Sequence, residues 1–172
     1  MAATISQISK ASLAFFKKSL DEDFIKTSDL AAYGERDLQL LFGMFMSGWF
    51  GHGVKREIHQ KITNINSGRL DFKIDKIGVE LAVRKNGSGE YHLKDGSNNS
   101  EIAKLLKYKG YAVLILLDYG KIRASIDRQD YEGYKIVGKG NHKPSNFSVI
   151  HIYLDGDKPD STRYNIKAIT NG

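Results

Sequence analysis

Between Arg69 and Lys85 the chain reads RLDFKIDKIGVELAVRK. Leu70, Phe72 and Ile74 alternate with polar residues, and Val79, Leu81 and Val83 do the same beyond Asp75-Lys76-Ile77-Gly78. Period-two alternation on two runs with a bend between them describes a β-hairpin with one buried face. Any loop of even length gathers the six apolar residues on that face, and a one-residue slip would mix them with charges. The other face then carries Asp71, Lys73, Glu80, Ala82 and Arg84. A two-residue loop sets Asp71 directly across from Glu80, whereas a four-residue loop sets Lys73 there. Two carboxylates about 5 Å apart on neighbouring strands repel unless something neutralises them. A divalent cation, which takes oxygen ligands, would do so. The plainer reading is a solvated face on which Lys73 and Arg84 balance the acids.

Upstream, Ile5, Ile8, Leu13, Phe16 and Leu20 mark one side of a helix over 5–20, with lysines and serines opposite. Such a stripe packs on the body of a domain. Asp21 to Tyr33 reads as a second short helix or turn, with Thr27 or Ser28 as its N-cap. From Glu35 to Phe50 the run is apolar almost all the way round, which predicts a central, heavily buried helix. Glu35 and Asp37 in its first turn complement the helix dipole. A strand over 54–62 leads into the hairpin. Beyond Lys85 a loop rich in Gly, Ser and Asn holds the short run Glu90 to Leu93, and Asn98-Asn99-Ser100-Glu101 resembles a capping box before a helix over 99–108. Tyr111 to Leu117 (YAVLILL) is the most apolar strand and reads as covered on both faces. The helix before it is the crossover that a parallel strand needs. Residues 122–136 have no clean period, while Phe147 to Leu154 and Tyr164 to Ile169 read as a terminal hairpin about DGDKPDS.

With 172 residues, 41 % of them hydrophobic, the chain suits one globular domain over 1–172. Lys and Arg outnumber Asp and Glu by 26 to 20, a net charge of +6, which attracts polyanions such as nucleic acid or an anionic membrane surface. The absence of cysteine excludes disulfides and thiolate zinc sites. The five histidines have no paired metal-ligand spacing. No apolar run approaches the roughly 18 residues of a membrane span, and no cleavable leader pattern opens the chain. The expected compartment is cytoplasmic.

The order helix, strand, strand, strand, helix, strand over residues 35–118, with its acids at Asp71 and Glu80, resembles the PD-(D/E)XK nuclease superfamily. The resemblance implies a restriction-endonuclease-like, three-layer α/β core with a mixed sheet, extended here by N-terminal helices and a C-terminal β-hairpin. It also implies a Mg2+ site (Mn2+ as substitute) built from Asp71 on the second strand and Glu80 on the third, assisted by Glu35 on the first core helix. The implied activity is phosphodiester hydrolysis by a metal-dependent endonuclease or exonuclease, with DNA preferred over RNA because most of the family acts on DNA. Carboxylate-held Mg2+ suits that chemistry, since it activates water and neutralises charge on the phosphate while needing few protein ligands.

The family's acid-x-lysine pattern is incomplete, because Ala82 stands two residues after Glu80. In this reading the missing charge moves to Lys73, on the face of Asp71 and about 7 Å along the strand. Arg84 shares the face of Glu80 but cannot serve as a base. Lys104 and Lys107 on the second core helix, with Lys109 after it, would meet substrate phosphates or else form a solvated helix face. Two readings from other classes compete. One is a catalytically inactive nuclease-like module that binds nucleic acid or a protein partner, and the other a structural subunit dimerising through the apolar 42–50 helix.

Overall fold

A two-residue turn at Asp75 and Lys76 resolves the loop length and fixes the register of the hairpin. Asp75 adopts φ 52°, a left-handed conformation that Asp tolerates better than most residues. Its backbone N–H donates to Gly53 O at 2.7 Å, and its side chain accepts from the Ala3 N–H at 2.6 Å. A Cβ at Gly53 would press on the Asp75 carboxylate, so the close approach there needs glycine.

The computed structural model describes residues 2–21, 35–59, 69–85, 99–120, 122–124, 134–139 and 147–168. Its elements are α1 (Ile5–Ser19), α2 (Glu35–Phe50), a 3-10 turn (Gly51–Gly53), β1 (Val54–His59), β2 (Arg69–Ile74), β3 (Ile77–Arg84), α3 (Asn99–Lys107), β4 (Tyr111–Asp118), β5 (Tyr134–Lys139), β6 (Phe147–Asp155) and β7 (Lys158–Ala168). One seven-stranded sheet takes the order β1-β2-β3-β4-β6-β7-β5. β1, β2 and β3 form an antiparallel meander, β3 and β4 run parallel, and β6 lies parallel to β4. The expected α/β fold with a mixed sheet is present, with α1 ahead of it and a C-terminal hairpin.

Alternation sorts each central strand between two cores. Ile77, Val79 and Leu81 of β3 and Val113, Ile115 and Leu117 of β4 pack with Phe15 and Phe16 of α1 and with Phe42 and Met46 of α2. Ala82, Ala112, Leu114 and Leu116 pack with Ile102 and Leu105 of α3. Helices therefore cover both faces, and β4 is buried from Ala112 to Asp118, as a parallel strand with two covered faces should be. Thr4 begins α1 with a capping box to Gln7, which satisfies two backbone donors that a helix start leaves open.

Five expectations need correction. α2 is not buried all round: Leu38, Phe42, Gly43 and Met46 face inward, whereas Met44 is 63 % and Trp49 52 % exposed. The inward residues follow i, i+4, i+8, the spacing of a single buried stripe, with Leu41, Phe45 and Phe50 partly buried beside it and Leu40, Met44 and Trp49 exposed. In α1 the buried line passes through Ile5, Ile8, Ser12, Phe15, Phe16 and Ser19, and Leu13 is only partly buried. Ser12 and Ser19 turn their hydroxyls back to carbonyls of the helix, which lets serine sit on a buried face. Third, Leu70 leaves the Phe72 face for the core under α3. Fourth, β5 within the aperiodic stretch is a strand that the sequence pattern does not reveal. β7 is also longer than expected, turning at Gly156 (φ 61°) and carrying Pro159 where no strand among the described residues lies on its far side, the sheet position proline tolerates. Residues 22–34, 60–68 and 86–98 lie outside the described residues, and with them the short helix with its Thr27 or Ser28 cap, the end of the 54–62 strand, the run 90–93 and Asn98 of the capping box.

Candidate functional site

The β2–β3 ladder holds only from Ile74↔Ile77 to Phe72↔Val79, although both strands continue. At Asp71 the side chain takes over the role of a backbone partner: its Oδ2 accepts the Leu81 N–H at 2.8 Å. Beyond it Leu70 swings against Gly78, where an added Cβ would meet its Cδ1 at 2.9 Å. The two strands therefore part where the acids stand, and Asp71 faces the side of β3 that carries Glu80.

Glu80 is enclosed there under α3, its side chain 1 % exposed. Lys104, one turn into that helix and on the side that meets the sheet, brings Nζ to 2.7 Å from Glu80 Oε2 and 3.2 Å from Arg69 O. The second oxygen, Oε1, is buried with no hydrogen-bond partner. Three elements thus deliver two acids and one lysine to the parting of two strands.

The electrostatics are those of crowded, half-buried acids. Burial, then repulsion from Asp71, pushes Glu80 up to about 8 against the opposing pull of Lys104. The ion-pair geometry with Lys104 does not keep it ionised, because desolvation plus a neighbouring anion outweigh one cation on a helix. Burial also raises Asp71, opposed by the Leu81 N–H, by Lys104 and by a hydrogen bond with Glu80. The upward push on Glu80 favours its protonated form near neutral pH. Glu35, at the start of α2, is raised by partial burial and by the charges of Asp71 and Glu101. It is part of this field without a hydrogen bond to either acid. Glu101 on α3 acts on all three carboxylates, a neighbour that the linear pattern did not single out.

Other site expectations change. Lys73, on β2 opposite Gly78 and Lys55, has no hydrogen bond or ion pair to either acid; the cation that reaches them is Lys104. Arg84 is not at the acids at all. It is 5 % exposed and bonds Asp118 Oδ1 at 2.8 Å and Ile122 O at the other end of β3. Lys107 and Lys109 are exposed, which suits a solvated helix end.

Arg84 belongs to a second buried constellation. Asp118 Oδ2 lies 3.1 Å from His151 Nε2 and accepts the Ala124 N–H at 2.7 Å, while Oδ1 accepts the Gly120 N–H at 2.9 Å. Burial alone would raise Asp118, but these donors together hold it down at about 2. His151 is fully buried; none of the five histidines could be singled out by spacing. A Cβ at Gly120 would collide with the Arg84 guanidinium, so the chain turns there only as glycine. This group anchors the segment after β4 to the sheet.

As to a cation, no three His, Asp or Glu side chains among the described residues converge tightly enough to enclose one. Mg2+ does not require that, since it keeps most of its water shell and takes one or two carboxylates. Asp71 and Glu80, with an orphaned buried oxygen on Glu80, fit that demand. No protein-family model, curated protein or solved structure matches the chain.

Proposed function

We propose that the chain is a metal-dependent nuclease of the PD-(D/E)XK kind, hydrolysing phosphodiester bonds in DNA more readily than in RNA. The observation that carries this reading is the meeting of Asp71, Glu80 and Lys104 where β2 and β3 part. The meander β1-β2-β3 followed by a parallel β4 across α3 supports it, because that is the strand arrangement the family's element order implies.

Asp71 and Glu80 would hold a divalent cation, which would supply Lewis-acid stabilisation of the phosphate and lower the pKa of water. Asp71 is fixed by the Leu81 N–H, so its free oxygen keeps one direction. Glu80 gives up its proton to bind a cation, which couples cation affinity to pH through its value of about 8. Lys104 takes the role of the lysine missing at Ala82. Its ammonium, held between Glu80 and Arg69 O, donates hydrogen bonds toward the attacking water and the charge growing on the phosphate.

Cleavage of linear and circular DNA, with and without Mg2+ or Mn2+, tests the reading. The wild-type protein is expected to cleave only with metal, and Asp71→Asn to be inactive while folding normally. Metal-dependent cleavage that survives Asp71→Asn belongs elsewhere. No cleavage by the wild-type protein on any substrate leaves the inactive binding module as the better account.

A further inference from the structure

At Asp71, Arg36 and Gln39 of α2, Arg56 of β1, and Arg69, Leu70, Asp71 and Phe72 of β2 line a cavity of about 200 Å3. Three guanidinium groups from three elements thus share one concavity with a single acid. Arg36 and Arg56 make no ion pair among the described residues, and Gly43 lets the Arg56 stem and Phe72 close under α2. Arginines from three elements converging on a hollow, two of them without an ion pair among the described residues, describe an anion site, since guanidinium matches phosphate with paired donors. The hollow is smaller than the roughly 300–1,000 Å3 that enclose drug-sized ligands, which suits one phosphate of a passing strand better than a free nucleotide.

We propose that Arg36, Arg56 and Arg69 form a subsite for a nucleic-acid backbone phosphate beside the cleavage site, entering on the α2 side of Asp71. This rests on the nuclease reading for its place on the strand. Asp71 is the one lining charge that opposes a bare anion, so a cation on the acids strengthens the subsite and links substrate binding to metal binding.

Anisotropy of a fluorescent duplex oligonucleotide, read without metal and with Ca2+ in place of Mg2+, tests the subsite as binding without turnover. Arg36→Gln/Arg56→Gln should weaken binding at least about tenfold at low salt and lower the salt slope by about 1. Lys158→Gln/Lys167→Gln, which removes equal charge from exposed positions on β7, should leave the slope within about half a unit. Asp71→Asn should tighten metal-free binding. Equal losses in the two double variants overturn the proposal, as does inorganic phosphate or a mononucleotide competing as well as the oligonucleotide. Urea midpoints matched to wild type rule out misfolding. Arginine-dependent binding with no cleavage by the wild-type protein sinks the nuclease reading and leaves the phosphate subsite standing.

Discussion

Glu80→Gln should produce a protein that no longer cleaves DNA and yet is more stable than wild type above neutral pH. The sign follows from proton binding. Burial pushes the Glu80 carboxyl up to about 8 in the folded state, from 4.5 in the unfolded chain. Between those values the folded chain binds more protons than the unfolded one, so stability falls as pH rises through this window and levels off above it. Each pH unit of difference corresponds to about 1.4 kcal/mol, which sets a ceiling of ~5 kcal/mol on the penalty that the variant removes above neutral pH. Glutamine keeps the shape and an acceptor for Lys104 but carries no charge, so the penalty disappears. Urea denaturation at pH 5 and pH 8 should therefore show a falling midpoint for wild type and a flatter one for the variant. Added Mg2+ should raise the wild-type midpoint most at pH 8, because ligation replaces the proton, and should do little for the variant. Parallel pH slopes for the two proteins would mean that Glu80 is not the buried acid described above.

Asp118→Ala should be the most damaging single change outside the hydrophobic core. It removes the carboxylate that the Arg84 guanidinium and His151 share and takes away the acceptor of the Gly120 and Ala124 N–H groups. Removing one partner of a buried ion pair costs about 3–5 kcal/mol, a large share of the ~5–15 kcal/mol that holds a domain together. Asp118→Asn, which retains an acceptor and the shape, should lose less. The wild-type group is depressed to about 2 from 3.8, so its contribution is fully present above pH 3.8 and lost as pH falls through about 2. Thermal melts of the three proteins between pH 7 and pH 2 check both points. The gap between wild type and Asp118→Ala should narrow in acid, and a gap independent of pH would assign the loss to packing alone.

Asp71 and Glu80 were legible in the sequence because alternation on two short runs leaves little freedom: once the loop is two residues, parity puts both acids on one face. Parity says nothing of position along a strand. Arg84 shares the face of Glu80 yet sits four residues further on, where Asp118 of the parallel neighbour claims it. Lys104 could be placed on a helix from the sequence, but its reach to Glu80 depends on how α3 docks over the parted strands, a long-range fact with no local pattern. Asp118 is the last residue of an apolar run, and its partners come from β3, β6 and the segment after β4. The apolar face of α2 misled for a related reason: composition counts hydrophobic residues, and only packing decides that Leu38, Phe42 and Met46 turn inward while Met44 and Trp49 do not.

Single-turnover cleavage of linear DNA in Mg2+ by Lys104→Ala, beside Lys73→Ala, bears most directly on a site built from Asp71, Glu80 and Lys104. Removing a group that stabilises charge in the transition state costs about 10²–10³-fold in rate. Lys104→Ala is expected to fall by that factor with its urea midpoint and oligonucleotide affinity near wild type, while Lys73→Ala stays within a few-fold of wild type. A Lys104→Ala protein that cuts at the wild-type rate while Lys73→Ala is inactive would contradict the assignment and return the lysine to the β2 strand.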